Sequence, residues 1–386
     1  MPSPLSWIEI DARPLACNLR KFKARLGTAT RLMAVVKAQA YGHGALPVAR
    51  VALGAGADWL GVFDLGEALA LRAAGLAAPT LVMGYVPLAD LGEAVAAELR
   101  VTASSLETLE GAAAAARSLG RPARLHLKLE TGTHRLGLDG EPLARALALL
   151  RAHPAELRLE GVHTHFANIE DTTEHDFARG QLGRFQALLA EIRAAGFPVE
   201  LPHTACTAAA ILFPQTYFAL ARVGIGLYGL WPSKETLLSA LAQGQDTLRL
   251  EPAMAWKTRV VQVKDVPAGA YVGYGCTYRC TRPTRLAVLP VGYANGLDRR
   301  LSNQGHVLVR GARAPIRGRV CMNLCMIDVT DIPAARLEDE VVLLGSQGEE
   351  RVSAEQLAAW MGTINYEVVT RADPHAPRVL VGGEAG

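Results

Sequence analysis

The chain has 386 residues, 50% of them hydrophobic and 20% charged, with a formal net charge of +3. That length and apolar content suffice for two domains with separate cores, and the charge shows no basic stripe or aromatic–basic interleaving, so nucleic acid is not an expected partner. No run approaches the roughly 18 uninterrupted apolar residues of a membrane span, and the opening MPSPLSWIEIDARP has neither a basic n-region nor an apolar h-region, so a cytoplasmic protein free of the membrane is expected.

In chain order, the WIEIDA run comes first, ahead of the first helix, and residues 1–11 could pair with a later β domain. Eight strand-like runs follow: RLMAVV from 31, DWLGVF from 58, PTLVMG from 79, LRVTA from 99, ARLHLKLE from 123, LRLEGVHTHF from 157, PVELPHT from 198 and FALARVGI from 218. Ala/Leu-rich helical patterns such as SLETLEGAAAAARSLG and QLGRFQALLAEIRAAG lie between them. Strands alternating with helices pair in parallel through right-handed crossovers, and eight such units predict an α/β fold with a (β/α)8 TIM-type barrel over residues 12–235. The runner-up is a doubly wound open sheet, but no Gly-x-Gly-x-x-Gly fingerprint follows any strand. After the polar stretch KETLLSALAQGQDTL, short strands punctuated by Gly, Pro and Asn predict a mainly β C-terminal domain over residues 245–386. Two cysteine pairs, Cys276/Cys280 and Cys321/Cys325, stand at C-x3-C spacing on segments that read as strands. Zinc knuckles favour C-x2-C, so no metal is expected and the cysteines read as small buried residues in a reducing compartment.

Barrel enzymes gather their chemistry at the C-terminal ends of the strands. Lys37 and Tyr41 follow the first strand, Lys128 and Arg135 flank the fifth, and His165 ends the sixth. Cys206 and Thr207 follow the seventh, and Arg222, Gly224 and Ile225 end the eighth. Singly, each has an ordinary reading: a snorkelling lysine, a satisfied core histidine, rim arginines in ion pairs, glycines in turns. Together they suit an anionic aromatic ligand held by a lysine. Pyridoxal 5'-phosphate chemistry needs this set: an amine to join the aldehyde, a phosphate cradle and a partner for the ring nitrogen. A covalent partner would also account for a lysine set at the end of an apolar run.

The stretch AVVKAQAYGHG resembles the pyridoxal-lysine signature of alanine racemases, and the likeness continues in order through KLETGTHRLG, THFAN, RVGIGLYG, VGYGCTY, PVGYANG, GRVCMN and INYEVVTR. The resemblance implies a barrel plus a β domain, a homodimer with shared active sites, and interconversion of L- and D-alanine by two-base exchange of the α-proton, feeding cell-wall peptidoglycan. It implies that Lys37 carries the cofactor as an imine and that Tyr41, Thr207, Gly224, Ile225 and Tyr366 hold the phosphate. His165 would lie beside the pyridine ring, and Arg222 would donate to its nitrogen. Arg135 and the backbone at Met322 would meet the substrate carboxylate, Lys128 matches a family lysine able to carry a carbamate, and Tyr274 would be the second acid/base, from the other chain. Four positions depart from the family pattern: Asn323, Asn295, Gln39 and Cys206. They bear on substrate range and efficiency, and a serine or broad-spectrum racemase on the same scaffold is the alternative. A decarboxylase of basic amino acids would want an acidic partner where Arg222 stands, and a non-catalytic cofactor carrier would lack the β domain.

Overall fold

The computed structural model describes residues 3–244 and 248–383. The expected domain start at residue 245 and end at residue 386 lie outside the described residues. The chain divides into two compact units. One comprises Pro14–Ala40 and Ala45–Pro252; the other comprises the described residues of Met1–Arg13, Tyr41–Gly44 and Ala253–Gly386.

The chain begins with β1 (Ser6–Asp11), part of the second unit. The first unit carries β2 (Arg31–Val35), β3 (Trp59–Val62), β4 (Thr80–Val82), β5 (Arg100–Ala103), β6 (Ala123–Lys128), β7 (Leu157–His163), β8 (Leu201–His203) and β9 (Leu220–Val223). All eight fall inside the expected runs. They form one parallel sheet in the order β8-β7-β6-β5-β4-β3-β2-β9. Its ends are joined by Ala219 N donating to Pro202 O at 3.1 Å and Arg222 N to Ala205 O at 3.0 Å, which closes the (β/α)8 barrel. Strands buried on both faces read as continuous apolar runs, and β3, β4 and β9 are buried along their whole length. The helices between them follow from capping and periodicity. In Leu106–Leu119 the N-cap Ser105 accepts from Thr108 N, Gly120 ends the helix in the left-handed region, and Leu109, Ala112, Ala113 and Ala116 are buried on one face.

One layer of the barrel interior is apolar, packing Met33, Trp59, Leu81, Leu201 and Leu220 together. A second is polar. Lys128, His163 and His203 stand in register on three adjacent strands, with buried His126 and Arg222 beside them. Glycine at 161 makes this layer possible, since a Cβ there would lie 2.6 Å from His126 Nδ1. The stretch beginning KETLLSALA is helical over Lys234–Ala242, not merely polar, because Ser233 caps it by accepting from Thr236 N.

The second unit holds β10 (Met254–Arg259), β11 (Gln262–Val266), β12 (Tyr271–Val272), β13 (Tyr278–Arg279), β14 (Thr284–Leu289), β15 (His306–Val309), β16 (Ala312–Pro315), β17 (Cys325–Asp328), β18 (Glu340–Gln347), β19 (Glu350–Val352) and β20 (Arg378–Val381). The largest sheet runs β16-β15-β18-β10-β1-β20, with β19 on β18, so the N-terminal strand does pair with the β unit. Two helices not anticipated from sequence, Ala354–Met361 and Asn365–Arg371, also lie here, and Tyr366 stands on the second. Of the four paired cysteines only Cys325 is in a strand, because the glycines of VGYGCTY turn the chain at Tyr274–Cys276 and Cys321 lies in a loop. The six cysteines are free. Among the described residues no helix is long and apolar enough to cross a membrane, and no cluster of metal-ligating side chains occurs.

Candidate active site

Lys37 stands two residues past the end of β2, where Val36 N still donates to Gly61 O at 2.8 Å and the buried Tyr228 hydroxyl donates to Val35 O at 2.8 Å. The next four residues leave ordinary geometry: Ala38, Gln39, Ala40 and Tyr41 have φ of 51°, 54°, 54° and 53°. An L-residue loses roughly 1–2 kcal/mol in that left-handed region, so a run of them persists only where its surroundings hold it. The Lys37 side chain is half-buried and, among the described residues, makes no hydrogen bond or ion pair. Burial first, and the positive Arg135 second, hold its basicity below that of an ordinary lysine; Glu67 opposes them. Such an amine is a better nucleophile and base near neutrality than a solvated one.

His165 lies within electrostatic reach of Lys37 and of the cations Arg222, Lys128 and Arg135. Arg222 is buried, and its basicity falls to about 10 through burial, so it stays charged at neutral pH. Its Nη1 donates to His203 Nδ1 at 2.7 Å and His203 O at 3.0 Å, and its Nη2 to Thr164 O at 2.8 Å and Thr204 O at 3.0 Å. A guanidinium has five N–H donors, so Nε–H is the one left for a ligand. Arginine only donates, so His203 Nδ1 must accept and its Nε2 must carry the proton given to His126 Nδ1 at 2.8 Å. Burial drives His126, His163, His165 and His203 toward the neutral form, with Arg222 adding to the effect on each.

Lys128 is buried, and burial, followed by Arg222 and Arg135, lowers its pKa from 10.5 to about 7. Between those values the unfolded chain binds more protons than the folded one, so stability rises with pH across that window. Below about pH 7 the full penalty of a buried charge applies. Lys128→Met is therefore expected to raise the thermal midpoint most below pH 7, the gain fading toward pH 10.5, in carbonate-free buffer; a gain independent of pH would contradict the assignment.

Thr207 opens the short helix Thr207–Leu212, and its hydroxyl accepts from Gly224 N at 3.0 Å, which brings Thr207, Gly224 and the turn starting at Ile225 together. Arg135, exposed in KLETGTHRLG, stands on a loop tied down by Glu130, whose Oε1 accepts from Gly132 N at 2.5 Å and Thr133 N at 2.8 Å. Gln181 joins this loop to the end of β7, donating to His165 O at 3.2 Å and Thr131 Oγ1 at 3.3 Å. Sequence reasoning missed these supports. His126 was legible in principle, because it stands two residues before Lys128 on one strand and so shares its face; Gln181 sits on a helix with nothing to distinguish it.

In the second unit, Tyr41 and Tyr366 meet with ring centroids 6.0 Å apart. The Gly-His-Gly turn after Tyr41 is seated by Arg378, which donates to Gly42 O at 3.1 Å, and a Cβ on Gly42 would lie 2.2 Å from Val369 O. Tyr274, in the turn between β12 and β13, is 72% exposed. Arg319 packs its guanidinium against Gly275 and was not anticipated. Met322 is 57% exposed; its carbonyl accepts from Ala294 N at 2.9 Å, and its N–H has no acceptor among the described residues. Asn295 donates to Asp373 at 3.1 Å and accepts from Gly292 N at 3.2 Å, so its amide ties two segments of the second unit together.

A free lysine of lowered basicity among neutral histidines and an arginine with one N–H to spare, at the mouth of a barrel, is the equipment of a proton-transfer enzyme. The family model for the N-terminal domain of alanine racemase matches residues 10–232, and that for the C-terminal domain matches residues 253–380. The alanine racemase of Desulfosudis oleivorans is 43% identical over 98% of this chain and 97% of its own. The crystal structure of the Streptomyces lavendulae enzyme superimposes with a TM-score of 0.92 at 38% identity, covering 99% of this chain and 98% of that one. That of the Bartonella henselae alanine racemase with covalently bound pyridoxal phosphate gives 0.85 at 26% identity, covering 98% and 100%. The chain belongs to the alanine racemase family.

Proposed function

We propose that the protein interconverts L- and D-alanine with pyridoxal 5'-phosphate joined to Lys37 Nζ. The observation that carries this reading is the free, half-buried amine of Lys37 with its lowered basicity at the barrel mouth. The donor set fits the cofactor. Arg222 keeps Nε–H for the ring nitrogen, and Thr207 with Gly224 and Ile225 suits the phosphate; Tyr41 and Tyr366, which meet within the second unit, are the phosphate-binding phenols that the family resemblance implies. His165, held neutral, suits the face of the ring. When bound, the cofactor withdraws electrons from the substrate Cα and so acidifies its proton.

The residues divide the remaining work. Arg135 and the Met322 N–H bind the substrate carboxylate. Lys37 Nζ, freed when the substrate amine takes its place, would take or return the α-proton on one face, and Tyr274 Oη of the partner subunit would do so on the other. An arginine cannot pass a proton to the ring nitrogen at neutral pH, so Arg222 holds that atom as a hydrogen-bond acceptor. Lys128, neutral above about pH 7, can take up carbon dioxide as a carbamate and place a negative charge beside Arg135. The barrel over residues 12–235 serves as the cofactor-binding domain, and residues 245–386 supply Tyr274. A homodimer would cover the exposed Tyr274, Met322, Tyr293 and Ile364 of the second unit. The fitting setting is the cytoplasm, with D-alanine passed to peptidoglycan synthesis.

Tyr274→Phe is expected to keep the visible absorbance of the bound cofactor while lowering turnover on the order of 10²–10⁴-fold, most severely for one enantiomer. Equal, parent-like rates for both enantiomers would remove Tyr274 from the mechanism. Exchange of the α-proton with deuterated solvent across an amino-acid panel tests the substrate: alanine should turn over fastest, and serine or another amino acid outpacing it would favour the broad-spectrum alternative.

A further inference from the structure

The left-handed run behind Lys37 needs a brace, and a carboxylate provides one. Glu67 is the third residue of the helix Leu65–Ala73, and its own N–H is given to the N-cap Asp64 at 2.9 Å. Its two oxygens are divided between two strand ends. Oε1 accepts from Ala38 N at 2.5 Å, one residue past Lys37, and Oε2 accepts from Phe63 N at 2.8 Å, one residue past β3. Ala38 is the first of the four left-handed residues. Its N–H therefore fixes where that turn begins and hence where the lysine side chain leaves the strand.

We propose that Glu67 is a positioning residue for Lys37: its carboxylate staples the start of the left-handed turn to the end of β3 and so sets the seat from which Nζ meets its ligand. This rests on the reading of Lys37 as the cofactor-bearing residue. The requirement is for a carboxylate in particular. Two N–H groups converge on one side chain, and only an ionised acid presents an acceptor to both. Glutamine must turn its NH₂ toward one of them, and aspartate is a methylene too short to span both. The carboxylate also opposes the loss of basicity that burial and Arg135 impose on Lys37. An ordinary role for an acid in the first turn of a helix, favourable interaction with the helix dipole, would need neither bond.

The two roles separate in a rescue experiment on the full-length protein. For the parent and each variant, the fraction of Lys37 that carries a pyridoxyl group after borohydride reduction is measured by peptide mapping against added pyridoxal phosphate. Glu67→Gln is expected to need about ten-fold more cofactor for half-occupancy, the scale of one lost charge-assisted hydrogen bond. Ala38→Gly in the same chain should recover most of that loss, because glycine enters the left-handed region freely, and Ala38→Gly alone should bind as the parent does. Parent-like affinity in Glu67→Gln, or no recovery on adding Ala38→Gly, would overturn the proposal. A parent with no adduct at Lys37 would overturn the cofactor reading and this inference together. A parent trapped at Lys37 beside a Glu67→Gln variant of equal affinity would overturn this inference alone.

Discussion

Lys37→Ala is expected to abolish the visible absorbance of the purified protein and to lower kcat/KM on the order of 10⁴-fold, the upper range for loss of a positioned acid–base group. In this account the lysine both holds the cofactor and exchanges the proton on one face, so no other side chain inherits either task. Lys128, the other lysine of the cluster, is buried in register with His163 and His203 and is no substitute. The fold should survive. Lys37 makes no hydrogen bond or ion pair among the described residues, and burial already disfavours its charge, so the thermal midpoint should be unchanged or higher. A variant that keeps parent-like turnover would remove the lysine from the chemistry; one that loses activity only because it unfolds would show a collapsed midpoint.

Arg222→Lys should damage stability and activity together. The guanidinium saturates His203 Nδ1 and three carbonyl oxygens through two nitrogens and still has Nε–H to give. An ammonium has three donors on one atom and cannot reach acceptors spread along a planar fork. At least one buried acceptor is then orphaned, at about 1–3 kcal/mol each, and the donor proposed for the ring nitrogen disappears. A fall in thermal midpoint with a loss in kcat of about 10²-fold is expected, the scale of one missing preorganised donor. Cofactor affinity should weaken as well. Parent-like kcat with a lowered midpoint would leave Arg222 a structural residue only.

The barrel was legible because strands buried on both faces write their apolar content without interruption, and each expected run contains the strand that formed. Lys37 was legible for a related reason: a lysine ending such a run conflicts with burial and demands an explanation. What supports these groups was harder to read. Gln181 and Glu67 act through hydrogen bonds to backbone atoms distant in sequence, and neither spacing nor composition records that. The Tyr366 helix was hidden among glycine-punctuated strands, because Asn365–Arg371 is too short for its period to stand out. The left-handed run at Ala38–Tyr41 was invisible because alanine and glutamine carry no sign of a conformation they rarely adopt. Asn295, a departure in pattern, turns out to answer a local need, the donor for buried Asp373.

The most direct test joins chemistry to one atom. The purified protein, loaded with pyridoxal phosphate, is reduced with borohydride, digested and mapped by mass spectrometry. The expected result is a single pyridoxyl adduct on the peptide containing Lys37, with loss of racemase activity in proportion to labelling. An adduct on Lys128 or any other lysine, or an active protein that cannot be labelled at all, would contradict the account.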